Sequence, residues 1–185
     1  DWRYLHIKTP SVNSSLDYLQ IRYAGNYCAP GHGSGYRWSL YVDADTEAMG
    51  LTVRNADSGG VIVRSGATMT VIGGFLSDND DTTLYVESGR AELSNIGFFS
   101  SGTGVLVASG QEALIAGCSF GNLTQAVRYA GSGDFTHVVA QQNWWGHAAG
   151  PNDPSTADGM SNLNPEGEAV SDWVDYSGWL TEPAV

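Results

Sequence analysis

The segment 93–107 reads LSNIGFFSSGTGVLV, and its pattern of apolar residues determines the fold class. It contains three short apolar groups separated by Gly, Ser, Asn and Thr. The apolar positions are Leu93, then Ile96 and Phe98, then Val105 and Val107. Apolar residues at every second position are typical of a β-strand with one buried face. The stretch therefore predicts three short strands joined by tight turns.

The same three groups repeat along the chain. Between Leu51 and Tyr129 each group returns after 21 to 23 residues, whereas the first interval, from Leu19 to Leu51, is 32 residues. The longer interval predicts an inserted loop at residues 27–37. A period of this length with several strands per repeat is typical of a solenoid, and strands stacked on their own copies run parallel. The sequence therefore predicts an all-β fold, a parallel β-helix, which the crossover rule makes right-handed.

Stacked copies place equivalent residues above one another, so we expect three ladders of inward side chains. The first ladder is Ile21, Val53, Leu76, Phe98 and Phe120. The second is Val42, Val63, Val86, Val107 and Tyr129. The third is Met49, Val71, Leu93, Ile115 and Val138. A leucine-rich repeat has a similar period, but its return segment is helical, whereas here the second strand pattern is as strong as the first.

The repeat ends after Asn143, and the remaining chain has a different composition. Residues 147–185 contain four of the six prolines and show no regular alternation. The end of a solenoid exposes unpaired backbone and core side chains, which have to be covered. We therefore expect β-helix coils over residues 1–146 and an irregular C-terminal capping segment over residues 147–185.

The overall charge restricts the classes of partner. The chain of 185 residues has 20 acidic and 8 basic side chains, a net charge of -12. This surface repels phosphate backbones, so nucleic acid is not an expected partner. No apolar run reaches the roughly 18 residues of a transmembrane helix. Cys28 and Cys118 fall about four coils apart in the repeat, so no disulfide between them is expected.

The C-terminal third carries motifs that resemble a known family. They are Asn143-Trp144-Trp145-Gly146, Gly150-Pro151, Asn164-Pro165 and the segment 170–180. These motifs, with the opening segment 16–25, resemble bacterial right-handed β-helix repeat domains, which share the fold of the pectate-lyase-like superfamily. Gly178 departs from the commoner pattern, in which proline precedes the tryptophan. The resemblance implies a secreted or cell-surface protein. It does not choose between polysaccharide-active enzymes and non-catalytic modules.

Outward positions of the second strand group form a candidate binding strip. Its members are Tyr41, Ile62, Tyr85 and Leu106, followed by Arg128. Phe75 and Phe99, on the first strand group, also point outward by parity. Flat aromatic surfaces suit sugar rings, whose C–H faces stack on them. The alternative is that the tail or a neighbouring domain packs on the strip.

The inserted loop is a second candidate for binding a glycan or a protein. Its aromatic and polar side chains are Tyr27, His32, Tyr36 and Trp38, and it also contains Cys28. Loops on a rigid scaffold often carry binding groups. The alternative is a loop that folds over the side of the coil without a binding role.

Acidic residues suggest two further sites. The turn at Asp78, Asp80 and Asp81 could bind Ca²⁺, or it is simply a solvated turn; no other cofactor is expected. Asp43 falls beside Arg64 in the next coil, which predicts a stabilising cross-strand ion pair. The alternative is that Asp43, Asp45 and Glu47 form an acidic cluster that binds Ca²⁺ or that abstracts a proton beside an arginine, for which Arg54 is a candidate.

Two classes of function, with a structural alternative, follow from these features. The first is a non-catalytic extracellular module that binds polysaccharide or another cell-surface component, or that serves in adhesion. The second is a polysaccharide lyase or hydrolase. The structural alternative is a subunit that stacks end to end, or against a neighbouring domain, through its N-terminal coil.

Overall fold

The computed structural model describes residues 4–8, 14–24 and 37–185. In these residues the regular structure consists of β-strands. The strands are β1 (Leu5–Ile7), β2 (Ser14–Asp17), β3 (Gln20–Arg22), β4 (Trp38–Val42), β5 (Thr46–Arg54), β6 (Gly59–Val63), β7 (Ala67–Ser77), β8 (Thr82–Val86), β9 (Gly89–Val107), β10 (Glu112–Ala116), β11 (Ser119–Tyr129), β12 (Val138–Val139) and β13 (Val174–Asp175).

All strand pairs in the described part are parallel, and each strand pairs with its equivalent one coil away. Thus β4, β6 and β8 stack in order, β8 pairs with the C-terminal part of β9, and β5, β7 and the N-terminal part of β9 form a second stack. The result is a parallel β-solenoid of about five turns. The predicted fold class is confirmed; the right-handed sense of the superhelix stays a prediction.

The first two predicted ladders are confirmed by the pairing register. Val53 pairs with Leu76, and Leu76 with Phe98, on one face. The second ladder has the same regularity, with Val63 opposite Val86 in the next coil. Nearly all members of both ladders are fully buried. These ladders form because alternating apolar side chains all point into the space that the coils enclose.

The third predicted ladder is wrong at two positions. Met49 is 48 % exposed, and it is Ala48 that pairs with Val71. Val138 pairs with Ala113 instead of with Ile115. Both errors have one cause. The residue that points into the ladder lies two positions before a corner of the coil. The third group has only one apolar residue, so it shows no alternation from which the corner, and with it the inward position, could be located.

Two corners of each coil are made by single residues in the left-handed conformation. The first column is Tyr18, Gly50, Gly73, Asn95, Gly117 and Gln142. The second is Tyr23, Asn55, Asp78, Ser100 and Asn122, with φ between 52° and 57°. Asn and Asp tolerate this conformation better than most residues. The ladder continues through the second corner, because the Asp78 N–H donates to the Phe99 carbonyl at 3.0 Å.

An aromatic stack joins the last coils to the C-terminal segment. The Phe98 and Phe120 ring centroids are 5.1 Å apart, and Trp145 lies 4.9 Å beyond Phe120 with nearly parallel planes. The Asn143 side chain adds to the backbone pairing there, since its Oδ1 accepts from the Cys118 N–H at 2.8 Å and its Nδ2 donates to the Ile115 carbonyl at 2.8 Å. The core is therefore continuous across this junction.

The segment after residue 146 adds to the last coil. Val170 bridges to Val127, β13 pairs with β12, and the Leu180 N–H donates to the Asn143 carbonyl at 2.9 Å. These contacts cover backbone and core at this end of the solenoid. The division of the chain at residue 146 into coils and a separate cap stays a prediction.

Candidate functional site

The predicted strip lies in one register, but two of its members are not at the surface. Tyr41 pairs with Ile62, Ile62 with Tyr85, and Tyr85 with Leu106. Tyr41 is only 1 % exposed and Ile62 only 3 % exposed. The expectation that these two side chains form an accessible surface is therefore wrong, whereas Tyr85 and Leu106 are partly exposed.

Side chains from other parts of the chain cover Tyr41. The Tyr4 ring meets it edge-on at 5.4 Å, and the Arg64 guanidinium lies 4.7 Å from the ring centroid on its face. The Tyr41 hydroxyl also accepts a hydrogen bond from the Trp38 backbone N–H at 3.2 Å. Tyr41 thus stabilises the packing of the first coils and does not offer a free ring face.

Two of the predicted binding residues come together on this face. Trp38, at the end of the inserted loop, stacks on Tyr85 with ring centroids 5.8 Å apart. Its indole lies directly over Gly59, where a Cβ atom would collide with the ring. Burial, with a smaller contribution from the charge of Glu87, raises the pKa of Tyr85. The other loop candidates, Tyr27, His32 and Tyr36, lie outside the described residues, as does Cys28.

Phe75 and Phe99 form the most exposed aromatic pair among the predicted positions. Phe75 is 49 % exposed and Phe99 is partly exposed. The two residues sit on adjacent coils, and both rings lean over Gly97, which pairs with Phe75. A Cβ atom at Gly97 would lie 2.5 Å from the Phe99 ring and 2.9 Å from the Phe75 ring. The absence of a side chain at Gly97 therefore leaves room for both rings on the same face of the strand.

A groove of about 350 Å³ opens beside these two rings, and we call it the aromatic groove. Its lining consists of Arg54, Phe75, Ser77, Asp78, Phe99 and Ser100. Arg54 Nη2 lies 3.1 Å from Asp78 Oδ2, and the Ser77 hydroxyl donates to the same oxygen at 2.8 Å. The groove thus combines an apolar wall with fixed polar groups, as ligand sites usually do.

The acidic turn does not gather its carboxylates around one point. Asp78 is held by Arg54 and Ser77, whereas Asp80 and Asp81 are exposed. Within residues 4–8, 14–24 and 37–185 no group of three or more His, Cys, Asp or Glu side chains is placed to hold a metal ion. Ca²⁺ binding at this turn stays an untested prediction.

Asp43 forms the predicted ion pair with Arg64. Arg64 donates to both carboxylate oxygens at 2.8 Å, and His6 Nε2 lies 2.7 Å from Oδ2. Burial alone would raise the pKa of Asp43, but the hydrogen bonds and charges of Arg64 and His6 outweigh it and lower that pKa. The cluster ties β1 to the two following coils.

The sequence indicated Phe75 as a site residue, but it did not reveal the groove. The sequence identifies Phe99 only as an outward residue and Arg54 only as a candidate for catalysis. The signal that could have found the groove is the glycine opposite Phe75 in the next coil, together with the left-handed corner residues Asp78 and Ser100. A glycine in a strand often marks the close approach of another group.

Comparisons with known proteins give no family for this chain. A scan against models of protein families, a search of curated proteins and a search of solved structures each found no match. In the part of the chain that the structure describes, no helix is long and apolar enough to cross a membrane.

Proposed function

We propose that the protein is a non-catalytic β-solenoid module that binds polysaccharide through the aromatic groove, as part of an extracellular or cell-surface protein. The observation that carries the proposal is that the rings of Phe75 and Phe99 both lie over Gly97 at the surface of adjacent coils. Together the two rings leave apolar surface in water that the C–H face of a sugar could cover.

The groove has the features that sugar binding requires. Aromatic rings offer flat apolar faces for the C–H groups of a sugar ring. The guanidinium of Arg54 and the carboxylate of Asp78 offer donors and acceptors for hydroxyl groups beside those faces. Both rings and both polar groups stand on rigid strands and corners of the solenoid, so little order has to be gained on binding.

Two other functions remain as alternatives. An enzyme of the lyase or hydrolase class would need a free acid or base beside the sugar, and Asp43 and Arg54 were the sequence candidates. Asp43 is engaged by Arg64 and His6, and Arg54 by Asp78, which favours binding over catalysis. End-to-end stacking through the N-terminal coil predicts a molecular mass that rises with protein concentration.

The test is native gel electrophoresis through gels that contain one polysaccharide each. We expect slower migration in at least one gel, without loss of the polymer, and normal migration of the double variant Phe75→Ala/Phe99→Ala. A matched control is Met49→Ala/Ile72→Ala, which removes two exposed apolar side chains from another face. Equal retardation of all three proteins would overturn the proposal for this groove, and a cleared track would indicate an enzyme.

A further inference from the structure

A second hollow lies directly beyond the aromatic groove, on the other side of a coil corner. It has a volume of about 500 Å³, and we call it the polar hollow. Its lining is Asp78, Asn79, Asp80, Ser100, Ser101, Gly102, Asn122 and Thr124. None of these side chains is apolar, so this hollow is chemically different from the aromatic groove.

The two hollows share two residues, Asp78 and Ser100. Both are corner residues in the left-handed conformation, with φ of 55° and 52°. Because Asp78 and Ser100 line both hollows, the aromatic groove and the polar hollow meet at this corner. A ligand longer than one sugar unit could therefore contact the rings on one side of the corner and the polar groups on the other.

Several groups of the polar hollow are already committed to the fold. The Asn79 amide is buried, and its Oδ1 accepts from the Ala56 N–H at 3.1 Å. Ser101 Oγ accepts from the Asn79 N–H at 3.1 Å. The side chains of Ser100, Asn122 and Thr124 are exposed, and they offer hydroxyl and amide groups to a ligand. Such groups can both donate and accept hydrogen bonds, as sugar hydroxyls do.

The charges of the two hollows restrict the ligand. Their charged lining residues are Arg54, Asp78 and Asp80, and Arg54 is already paired with Asp78. The whole chain carries a net charge of -12. A polymer of uronic acids or sulfated sugars would approach a negative surface on which Arg54 is already engaged by Asp78, and it would be repelled.

We infer that the aromatic groove and the polar hollow form one two-part site for an uncharged polysaccharide, which stacks on Phe75 and Phe99 and continues around the Asp78–Ser100 corner to Asn122 and Thr124. This inference rests on the proposed function, because it names the class of polymer that the same groove takes. It adds that affinity increases with chain length until the polymer fills both parts.

The experiment measures the affinity of neutral, anionic and cationic polysaccharides for four proteins by affinity electrophoresis at low and physiological salt. Neutral oligosaccharides of graded length are added as competitors, so that the affinities for short and long ligands are measured separately. The proteins are the full chain, the double variant Phe75→Ala/Phe99→Ala, the double variant Asn122→Gly/Thr124→Ala and the control Met49→Ala/Ile72→Ala. Glycine is chosen at position 122 because it keeps the left-handed conformation while it removes the amide. Far-ultraviolet circular dichroism checks that each variant is folded.

The expected result is retardation in neutral polymers only, with little effect of salt. The Phe75/Phe99 variant should lose retardation, and the Asn122/Thr124 variant should bind long oligosaccharides about tenfold more weakly while it binds short ones as the full chain does. If the Phe75/Phe99 variant loses binding but the Asn122/Thr124 variant does not, the two-part site is wrong and the proposed function stands.

The inference would also be wrong if the protein bound only anionic polymers, or if it bound a cationic polymer only at low salt. In either case the proposed function would stand, provided that the Phe75/Phe99 variant lost this binding. Binding that no variant changes, or an absence of retardation in every gel, would overturn the proposed function together with the inference.

Discussion

The ring of Trp145 lies face to face with the ring of Phe120, with centroids 4.9 Å apart and planes 10° from parallel. Trp145 is fully buried although it lies beyond the last full repeat. It thus extends the ladder of Phe98 and Phe120 by one step and gives the C-terminal segment a core residue of its own.

We expect Trp145→Ala to lower the free energy of unfolding by about 3 to 5 kcal/mol, because it leaves a large cavity beside Phe120. Urea denaturation followed by circular dichroism measures this change. Trp179→Ala is the control: Trp179 also packs on the core but keeps part of its surface in water, so its loss should cost less. Equal stability of Trp145→Ala and the full chain would mean that the C-terminal segment does not share the core.

Gly97 should be essential for the aromatic groove but not for the fold. Gly97→Val places a branched side chain where both the Phe75 and the Phe99 ring now lie, so the two rings must move away from this position. We expect loss of polysaccharide binding with a change in unfolding free energy of about 1 to 3 kcal/mol. The control is Thr70→Val. Thr70 also points outward, but it lies on the other side of a coil corner from Phe75, so this variant should bind normally. Normal binding by Gly97→Val would show that the ring arrangement is not what the ligand needs.

The Asp43 cluster should make stability depend on pH in the acidic range. Since the folded-state pKa of Asp43 lies below its ordinary value of 3.8, its contribution is present above that pH and is lost as the pH falls through the folded-state pKa. Asp43→Asn should therefore be less stable at neutral pH, by about 1 to 3 kcal/mol, and its stability should fall less steeply on acidification. Denaturation curves at several pH values test this, with the exposed Asp57→Asn as control. A wild-type pH dependence in Asp43→Asn would refute the assignment.

Asp153 should change the pH dependence of stability in the opposite direction from Asp43. Its carboxylate is buried in the C-terminal segment, where the Tyr176 hydroxyl donates to it at 3.0 Å. Burial, together with the nearby carboxylates Asp158 and Asp172, raises the pKa of Asp153 despite that hydrogen bond. Its contribution is therefore full below pH 3.8 and is lost as the pH rises through the raised value.

The corresponding measurement compares the stability of Asp153→Asn with that of the full chain between about pH 4 and about pH 7. Asparagine stays neutral and keeps a carbonyl oxygen as acceptor for Tyr176. We expect the variant to lose less stability over this range than the full chain does. Parallel curves for the two proteins would contradict a raised pKa at this residue.

Cys118 should resist thiol reagents in the folded protein. It is a free cysteine in the core, and burial raises the pKa of its thiol to about 12. Because the thiolate is the reactive form, modification requires unfolding. In a Cys28→Ser background, labelling should follow the unfolding curve in urea. Rapid labelling without denaturant would show that the last coils open in the native state.

The ladders of the core could be predicted from the sequence because each coil repeats the same alternation of apolar residues. Stacking then places each inward residue beside the apolar residue at the equivalent position of the next coil. Ile21, Val53 and Leu76 are examples. The predicted register is wrong where alternation is missing, as at Met49. The left-handed residue Gly50 determines which neighbouring positions point inward, and a single apolar residue does not reveal where that corner lies.

The surface was harder to predict than the core. Parity correctly assigns Tyr41 to the outer side of its strand, yet Tyr4 and Arg64 come from other coils to cover it. Parity also places Phe75 outward, and in the described part of the chain about half of its surface stays exposed. The difference depends on long-range contacts, which an alternating pattern within one strand does not encode.

Polysaccharide binding over Phe75 and Phe99 is the proposal on which the other binding predictions depend. The most direct test is titration of the isotopically labelled protein with a neutral oligosaccharide, followed by amide chemical shifts in nuclear magnetic resonance spectra. We predict that the shifts concentrate at residues 54, 75–78 and 97–100 and extend to residues 122–124 with longer ligands. Shifts confined to another face, such as the one that carries Trp38 and Tyr85, would contradict the claim.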